Sequence, residues 1–257
     1  MKRFPVLFLG HGSPMNIAQK NEFTDALGSF ARKLPRPDAV FMVSAHWTAR
    51  STMVTGNENP PQIYDFYGFP DELYRVSYTP RSSLALAEKT SSILDSPLSE
   101  DWGIDHGAWS VLMRLFPEAD VPVTQLSLDM TKGLDYHYET GRKLAALRDE
   151  NILIIGSGNI VHNLRDISYE QYDPEVAAWA SDFDRVIAED LSSAKHDRLV
   201  SFDKAYGGLA QRAHPTLDHY LPLLYAAGAA GNDAVSFIHE GFQHATLSMR
   251  CVLFGEL

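Results

Sequence analysis

A single cysteine, Cys251, leaves this chain without any intrachain disulfide, which fits a reducing compartment. That cysteine lies in the apolar run 249–254, the setting of a buried, inert thiol. Basic residues are scarce as well. Lys and Arg number 22 against 33 Asp and Glu, a net charge of −11 with no basic stretch. A nucleic-acid or polybasic membrane contact needs a basic face, so neither partner is expected. Long hydrophobic runs are missing, and with them any membrane-spanning segment. The apolar residues after Met1-Lys2-Arg3 are too few for a signal peptide, contain Pro5 and end in Gly-His-Gly. They read as a first β-strand of a cytoplasmic protein. Internal repeats, low-complexity tracts and long linkers are absent too.

What is present is ordinary globular material: 257 residues, 45% hydrophobic and 21% charged, enough to bury a sizeable core. Short runs rich in Val, Ile and Phe predict buried strands at 6–9, 39–44, 121–128, 152–155 and 234–238. A last run, 247–254, can close the sheet at an edge. Between them lie helical patterns near 21–32, 83–94, 108–116, 138–148 and 219–230, the last with Pro222 in its first turn, where it is tolerated. The clearest pattern starts at Asp173-Pro174, an N-cap followed by proline. From there Val176, Ala180, Phe183, Ile187 and Leu191 recur at helical spacing. The segment 57–80, rich in proline and aromatics, reads as an irregular excursion over the sheet. Strands alternating with helices predict one α/β domain over residues 1–257. Its central sheet is mostly parallel, covered by helices on both faces, with an antiparallel edge strand.

In such a sheet, ligands sit beyond the carboxyl ends of the strands. The first predicted strand runs into Gly10-His11-Gly12-Ser13-Pro14, the second into Ser44-Ala45-His46-Trp47. The strand at 152 runs into Gly156-Ser157-Gly158-Asn159 and soon reaches His162. Neutral imidazoles brought to one edge from three strands suit a divalent transition metal. Gly10 and Gly12 let the backbone turn tightly around His11. Other glycine-rich readings fail. Residues 10–14 lack the lysine of a phosphate loop, and 156–159 lack the third glycine of a dinucleotide fingerprint. Neither Ser13 nor Ser157 sits in a nucleophile elbow. A third protein ligand is open on spacing alone, with His214, His219 and Glu240 all placed to compete.

Five motifs carry a resemblance. Gly10-His11-Gly12-Ser13-Pro14-Met15, Ser44-Ala45-His46-Trp47, Asp105-His106-Gly107-Ala108-Trp109, Gly158-Asn159-Ile160-Val161-His162-Asn163 and His219-Tyr220-Leu221-Pro222-Leu223-Leu224 occur in that order. In this the chain resembles the class III extradiol ring-cleavage dioxygenases, in their DOPA-dioxygenase-like branch. The resemblance implies a non-haem Fe(II) enzyme that takes a catechol and O2. It implies His11, His46 and His219 as metal ligands, with His219 preferred over Glu240. It further implies His162 as the active-site base, able to swing onto a resting metal as a fourth ligand, and His106 as a histidine near substrate and oxygen. Ser13 and His214 are expected to face the substrate. The wider superfamily usually has a glutamate as third ligand, and an all-histidine set also welcomes Zn(II), which cannot do redox chemistry.

The implied chemistry is ring opening beside a hydroxyl-bearing carbon, by way of a lactone, to a muconic semialdehyde. His162 takes the catechol proton and later returns it. Tyr64, Phe66 and Phe69 can cover the ring as an apolar lid or simply pack in the core. His137, His196, His239 and His244 read as surface or structural residues. Two rival functions share the same residues: a zinc hydrolase, and a non-enzymatic binding protein.

Overall fold

The computed structural model describes residues 3–168 and 175–257. Its centre is an eight-stranded sheet. In chain order the strands are β1 (Val6–Gly10), β2 (Ala39–Ala49), β3 (Val54–Thr55), β4 (Leu98–Ser99), β5 (Val123–Asp129), β6 (Ile152–Gly158), β7 (Val235–His239) and β10 (Cys251–Phe254). A separate two-stranded ribbon joins β8 (Phe242–Gln243) to β9 (Leu247–Ser248). The sheet order is β4-β3-β5-β2-β6-β1-β10-β7. The middle four strands, β5, β2, β6 and β1, are parallel. They are buried along almost their whole length, as the near-continuous apolar runs require.

Alternation of side chains along the strands divides the core into two. Val6, Phe8, Phe41, Val43 and Ile154 pack on one face, against α2 (Leu84–Leu94), α4 (Leu134–Leu144), α5 (Ala178–Ser192) and α9 (Leu221–Ala230). Three short helices complete that layer: α6 (His196–Val200), α7 (Phe202–Tyr206) and α8 (Gly208–Ala213). Leu7, Leu9, Val40, Met42 and Ile155 face the other way, onto α1 (Glu22–Ala31) and α3 (His106–Leu115). Among the described residues no helix is long and apolar enough to cross a membrane.

Three details depart from expectation. The antiparallel strand formed by the last apolar run is not the edge; β10 lies between β1 and β7, antiparallel to both, and β7 takes the edge. The run itself splits, Leu247–Ser248 pairing in the ribbon and Cys251–Phe254 in the main sheet. The helix expected from Asp173-Pro174 begins at Ala178; those two residues lie outside the described ones. Val176 precedes the helix because the Ala177 N–H is held in extended geometry by the Ala245 carbonyl, 2.9 Å away. The four apolar positions from Ala180 to Leu191 are buried as the spacing requires.

Strand β2 runs past residue 44 to Ala49, but irregularly. Val43 pairs with Leu126 and Thr48 with Leu128, so five steps on β2 match two on β5. That bulge lifts Ser44 to Trp47 out of the ladder with β5, a device that re-aims side chains beside functional sites. The excursion at 57–80 is pinned down. The Tyr64 hydroxyl donates to Val76 O (2.6 Å), Trp109 Nε1 to Ile63 O (2.9 Å) and the Tyr78 hydroxyl to Phe116 O (2.9 Å).

A candidate metal centre at the carboxyl edge of the sheet

The ends of β1, β6 and β2 lie side by side, with Leu9 opposite Ser157 and Ser44 opposite Ser157. His11 follows directly, its N–H donating to Gly158 O at 3.1 Å, and Gly12 turns the chain away with φ of 64°. His46 rises from the β2 bulge. His219 sits just before α9, and its own carbonyl accepts the Asn159 N–H at 3.0 Å. These elements bring three imidazoles together. The ring centres are 5.1 Å apart for His11–His46, 5.2 Å for His11–His219 and 5.1 Å for His46–His219. Three imidazoles bound facially to one divalent ion at about 2.1 Å place their centres roughly 4.5–5.3 Å apart. The triangle therefore has the dimensions of a facial tris-histidine site.

Each ring is also oriented from behind. His11 Nδ1 lies 3.0 Å from Ser157 Oγ, and that hydroxyl donates to Gly107 O at 2.5 Å. Its proton thus committed, Ser157 accepts from His11, which fixes the Nδ1–H tautomer and leaves a lone pair on Nε2. His46 Nδ1 is 2.9 Å from Asp65 Oδ2, and His219 Nδ1 is bound by Asp218 Oδ2. Histidines that ligate metals show this pattern, one nitrogen on an oxygen acceptor and the other free. His11 Nε2 and His46 Nε2 are 3.2 Å apart. Two lone pairs do not face each other at that distance without a proton or a cation between them. The donor set fits a metal ion.

Electrostatics agree. Burial, then the neighbouring His46 and His219, push His11 well below its ordinary pKa. Burial, then His162 and His46, do the same to His219. Burial also acts on His46, but its hydrogen bond to Asp65 and the charges of Asp105, Asp65 and Asp218 outweigh it and raise the pKa. Burial would lift Asp65, yet the hydrogen bonds from His106 and His46 hold it well below the usual carboxylate range. The site is thus mostly neutral imidazole, the form that binds metal.

Two more histidines border the triangle. His106, the first residue of α3, has its ring centre 4.0 Å from that of His46 and 5.8 Å from that of His11. His11, His46 and His106 form one group able to hold an ion; His162, Asp218 and His219 form another beside it. His162 stacks on His219 with centres 3.4 Å apart and planes within 3°. Parallel rings in that register cannot both aim a nitrogen at one ion, so ligation by His162 requires its ring to turn. Burial, countered in part by Asp218, pushes His162 down to about 4.

The other expected residues fall elsewhere. The His214 ring packs against Phe183, Phe202 and Tyr220, and its Nε2–H donates to Ile160 O at 2.7 Å. Ser13 Oγ caps the short 3-10 helix Pro14–Ile17 by accepting the Met15 N–H, and the residue borders a cavity of about 570 Å³ shared with Lys20 and His239. Glu240 is taken by Arg250, 2.6 Å away, and is not among the histidines. Phe66 lies edge-on to His106 at 5.4 Å, with Phe69 and Tyr74 behind it. Sequence reasoning missed Asp65, Asp105 and the role of Ser157. Asp105 is fully buried, accepting from Ser44 Oγ (2.6 Å), Gln125 Nε2 (2.9 Å) and the Ala108 N–H (3.1 Å). No local spacing marks Asp65; Asp218 stood in view, next to His219.

Fold and site together define an α/β protein with a cluster of histidines at a sheet edge that could hold a metal ion. Residues 5–255 match the family model described as the catalytic LigB subunit of aromatic ring-opening dioxygenase. A 4,5-DOPA dioxygenase extradiol of Escherichia coli is 43% identical, the alignment covering 98% of this chain and 95% of that one. A protein of the same description from Beta vulgaris is 34% identical, over 94% and 92%. The crystal structure of an uncharacterized Escherichia coli K12 protein superposes with a TM-score of 0.84 at 38% identity, covering 98% of this chain and all of the other. The chain belongs to the class III extradiol dioxygenase family.

Proposed function

We propose that the protein is a non-haem Fe(II) extradiol dioxygenase acting on a DOPA-like catechol. The observation that carries this is the triangle of imidazoles, His11 and His219 buried and His46 half-buried, each with Nδ1 engaged and with the Nε2 atoms of His11 and His46 facing one another. His11, His46 and His219 would hold the metal. Bound iron would supply the open positions and the one-electron chemistry that let a catecholate and O2 react. The overall change adds both oxygen atoms of O2 and breaks one ring bond beside a hydroxyl-bearing carbon, giving a muconic semialdehyde.

The chain's own groups do the rest. His162, neutral and half-buried, accepts the catechol proton and later returns it. His106, fixed by its backbone N–H on Asp65 (2.8 Å), borders the same space. Phe66 walls that side and keeps water from the ring. Ser13 caps the 3-10 helix and His214 packs against Phe183, Phe202 and Tyr220 while holding the Ile160 carbonyl, so both support the fold beside the site rather than the substrate. Zn(II) suits the same nitrogen donors and would leave the protein inert toward O2. A reducing cytoplasm suits both the iron and the single thiol.

The test is anaerobic loading with Fe(II), then O2 uptake across a catechol panel headed by DOPA. One O2 consumed per catechol with a yellow product is expected. Iron-loaded protein that consumes no O2 with any catechol would overturn the proposal.

A further inference from the structure

An imidazole ligand brings no negative charge to a metal, so the three rings proposed to hold it supply none. Facial sites of non-haem iron ordinarily include one carboxylate. Here carboxylates stand one bond further out. Asp65 Oδ2 lies 2.9 Å from His46 Nδ1 and its Oδ1 accepts the His106 N–H at 2.8 Å. Asp218 Oδ2 holds His219 Nδ1. Each sits on the Nδ1 edge of its ring. Both side chains are only about one-fifth exposed (20% and 21%), so solvent screens their charge weakly. Asp65 is held rigidly, since the segment around it is fastened through Tyr64, Ile63 and Trp109. The third ring, His11, has the neutral Ser157 in the equivalent place.

We propose that Asp65 and Asp218 are positioning residues that supply, through His46 and His219, the negative charge missing from the ligands. A carboxylate accepting the Nδ1–H makes an imidazole a stronger donor, and hydrogen bonding of this kind tunes both affinity and redox potential. The inference rests on the metal site proposed above.

Asparagine at either position keeps an oxygen to accept the Nδ1–H and removes only the charge. Asp65→Asn, Asp218→Asn and, as a charge-matched control away from the rings, Asp149→Asn on the surface pair with Arg3 are compared without substrate. The readouts are the Fe(III)/Fe(II) midpoint potential and the Co(II) affinity by chelator competition. Both site variants should move the potential upward and weaken Co(II) binding by about 10-fold or more. Asp149→Asn should leave the potential where the parent has it. Folding is checked by circular dichroism; if one site variant does not fold, the other carries the test, and one that folds without iron is read by Co(II) alone. Unmoved potential and affinity in the folded site variants would overturn the inference, as would an equal shift in Asp149→Asn. A parent protein that binds no divalent metal would instead defeat the proposed function.

Discussion

Replacing Gly158 by alanine adds one methyl group where β6 meets the start of α9. That carbon would lie 2.2 Å from the His219 carbonyl oxygen and 3.1 Å from its carbonyl carbon. Clearing the contact to the 3.0 Å that real Cβ atoms require means a shift of about 0.8 Å. Strand β6 cannot retreat, because Gly158 O holds the His11 N–H and the strand is flanked by β1 and β2. The start of α9 must move instead, and His219 moves with it. Overpacking of this kind costs about 1–3 kcal/mol, which in a chain of this size lowers the melting temperature by roughly 3–10 °C. A proposed ligand displaced by that much should cost on the order of 10²-fold in kcat/KM. Thermal unfolding, iron content and O2 uptake read the three effects. Gly28→Ala is the matched control: it lies inside α1 with nothing within 4 Å of the new carbon, and should stabilise by up to about 1 kcal/mol. If Gly158→Ala melts, binds iron and turns over like the parent, the close contact does not hold the site.

Three further outcomes are expected. His162→Ala should keep the metal and lose roughly 10²–10⁴-fold in rate, whereas His46→Ala should lose the metal; metal retained with full activity in the His46 variant refutes the ligand assignment. Burial lowers both His137 and His214 to about 4 from 6.5, so the unfolded chain takes up protons first. Their stabilisation is complete above pH 6.5 and is lost as pH falls toward 4, by at most about 2 kcal/mol per group by pH 5. A urea midpoint that stays flat or rises between pH 7 and 5 contradicts this. Arg250 and Asp184 form a buried pair, 2.6 Å apart with side chains 8% and 6% exposed. Arg250→Met should cost about 3–5 kcal/mol by stranding the carboxylate, and adding Asp184→Leu should recover much of it; an unchanged chemical-denaturation midpoint in the single variant would count against the pair.

Much of the fold was legible because parallel strands buried on both faces leave unbroken apolar runs. The starts at 6, 39 and 152 coincide with β1, β2 and β6. The histidines at the strand ends were visible for the same reason, since topology alone sends the carboxyl ends to one edge. What escaped depends on contacts distant in sequence. The β2 bulge that aims His46 arises from pairing with β5, not from any residue in 44–47. Asp65 reaches His46 and His106 from an irregular segment whose course is set by hydrogen bonds to residues up to 46 positions away. The helices α6 to α8 are five or six residues each, too short for a 3.6-residue period to emerge. The glycines at 156 and 158 looked like a failed nucleotide fingerprint. In the fold they let α9 lie flat on the sheet, with Pro222 O 2.3 Å from where a Gly156 methyl would stand.

The pairing of β1 with β10 has a bearing on how the protein is made. The strand that delivers His11 has β6 on one side and β10 on the other, and both emerge from the ribosome long after it. At about 5–20 residues per second, roughly 10–50 s separate synthesis of β1 from that of β10. Through that interval β1 has no complete place in the sheet, and His11 has no fixed relation to His46 or His219. Any metal held by these three rings would therefore be captured by the finished chain, and the nascent protein presents an open apolar strand until its last neighbour arrives.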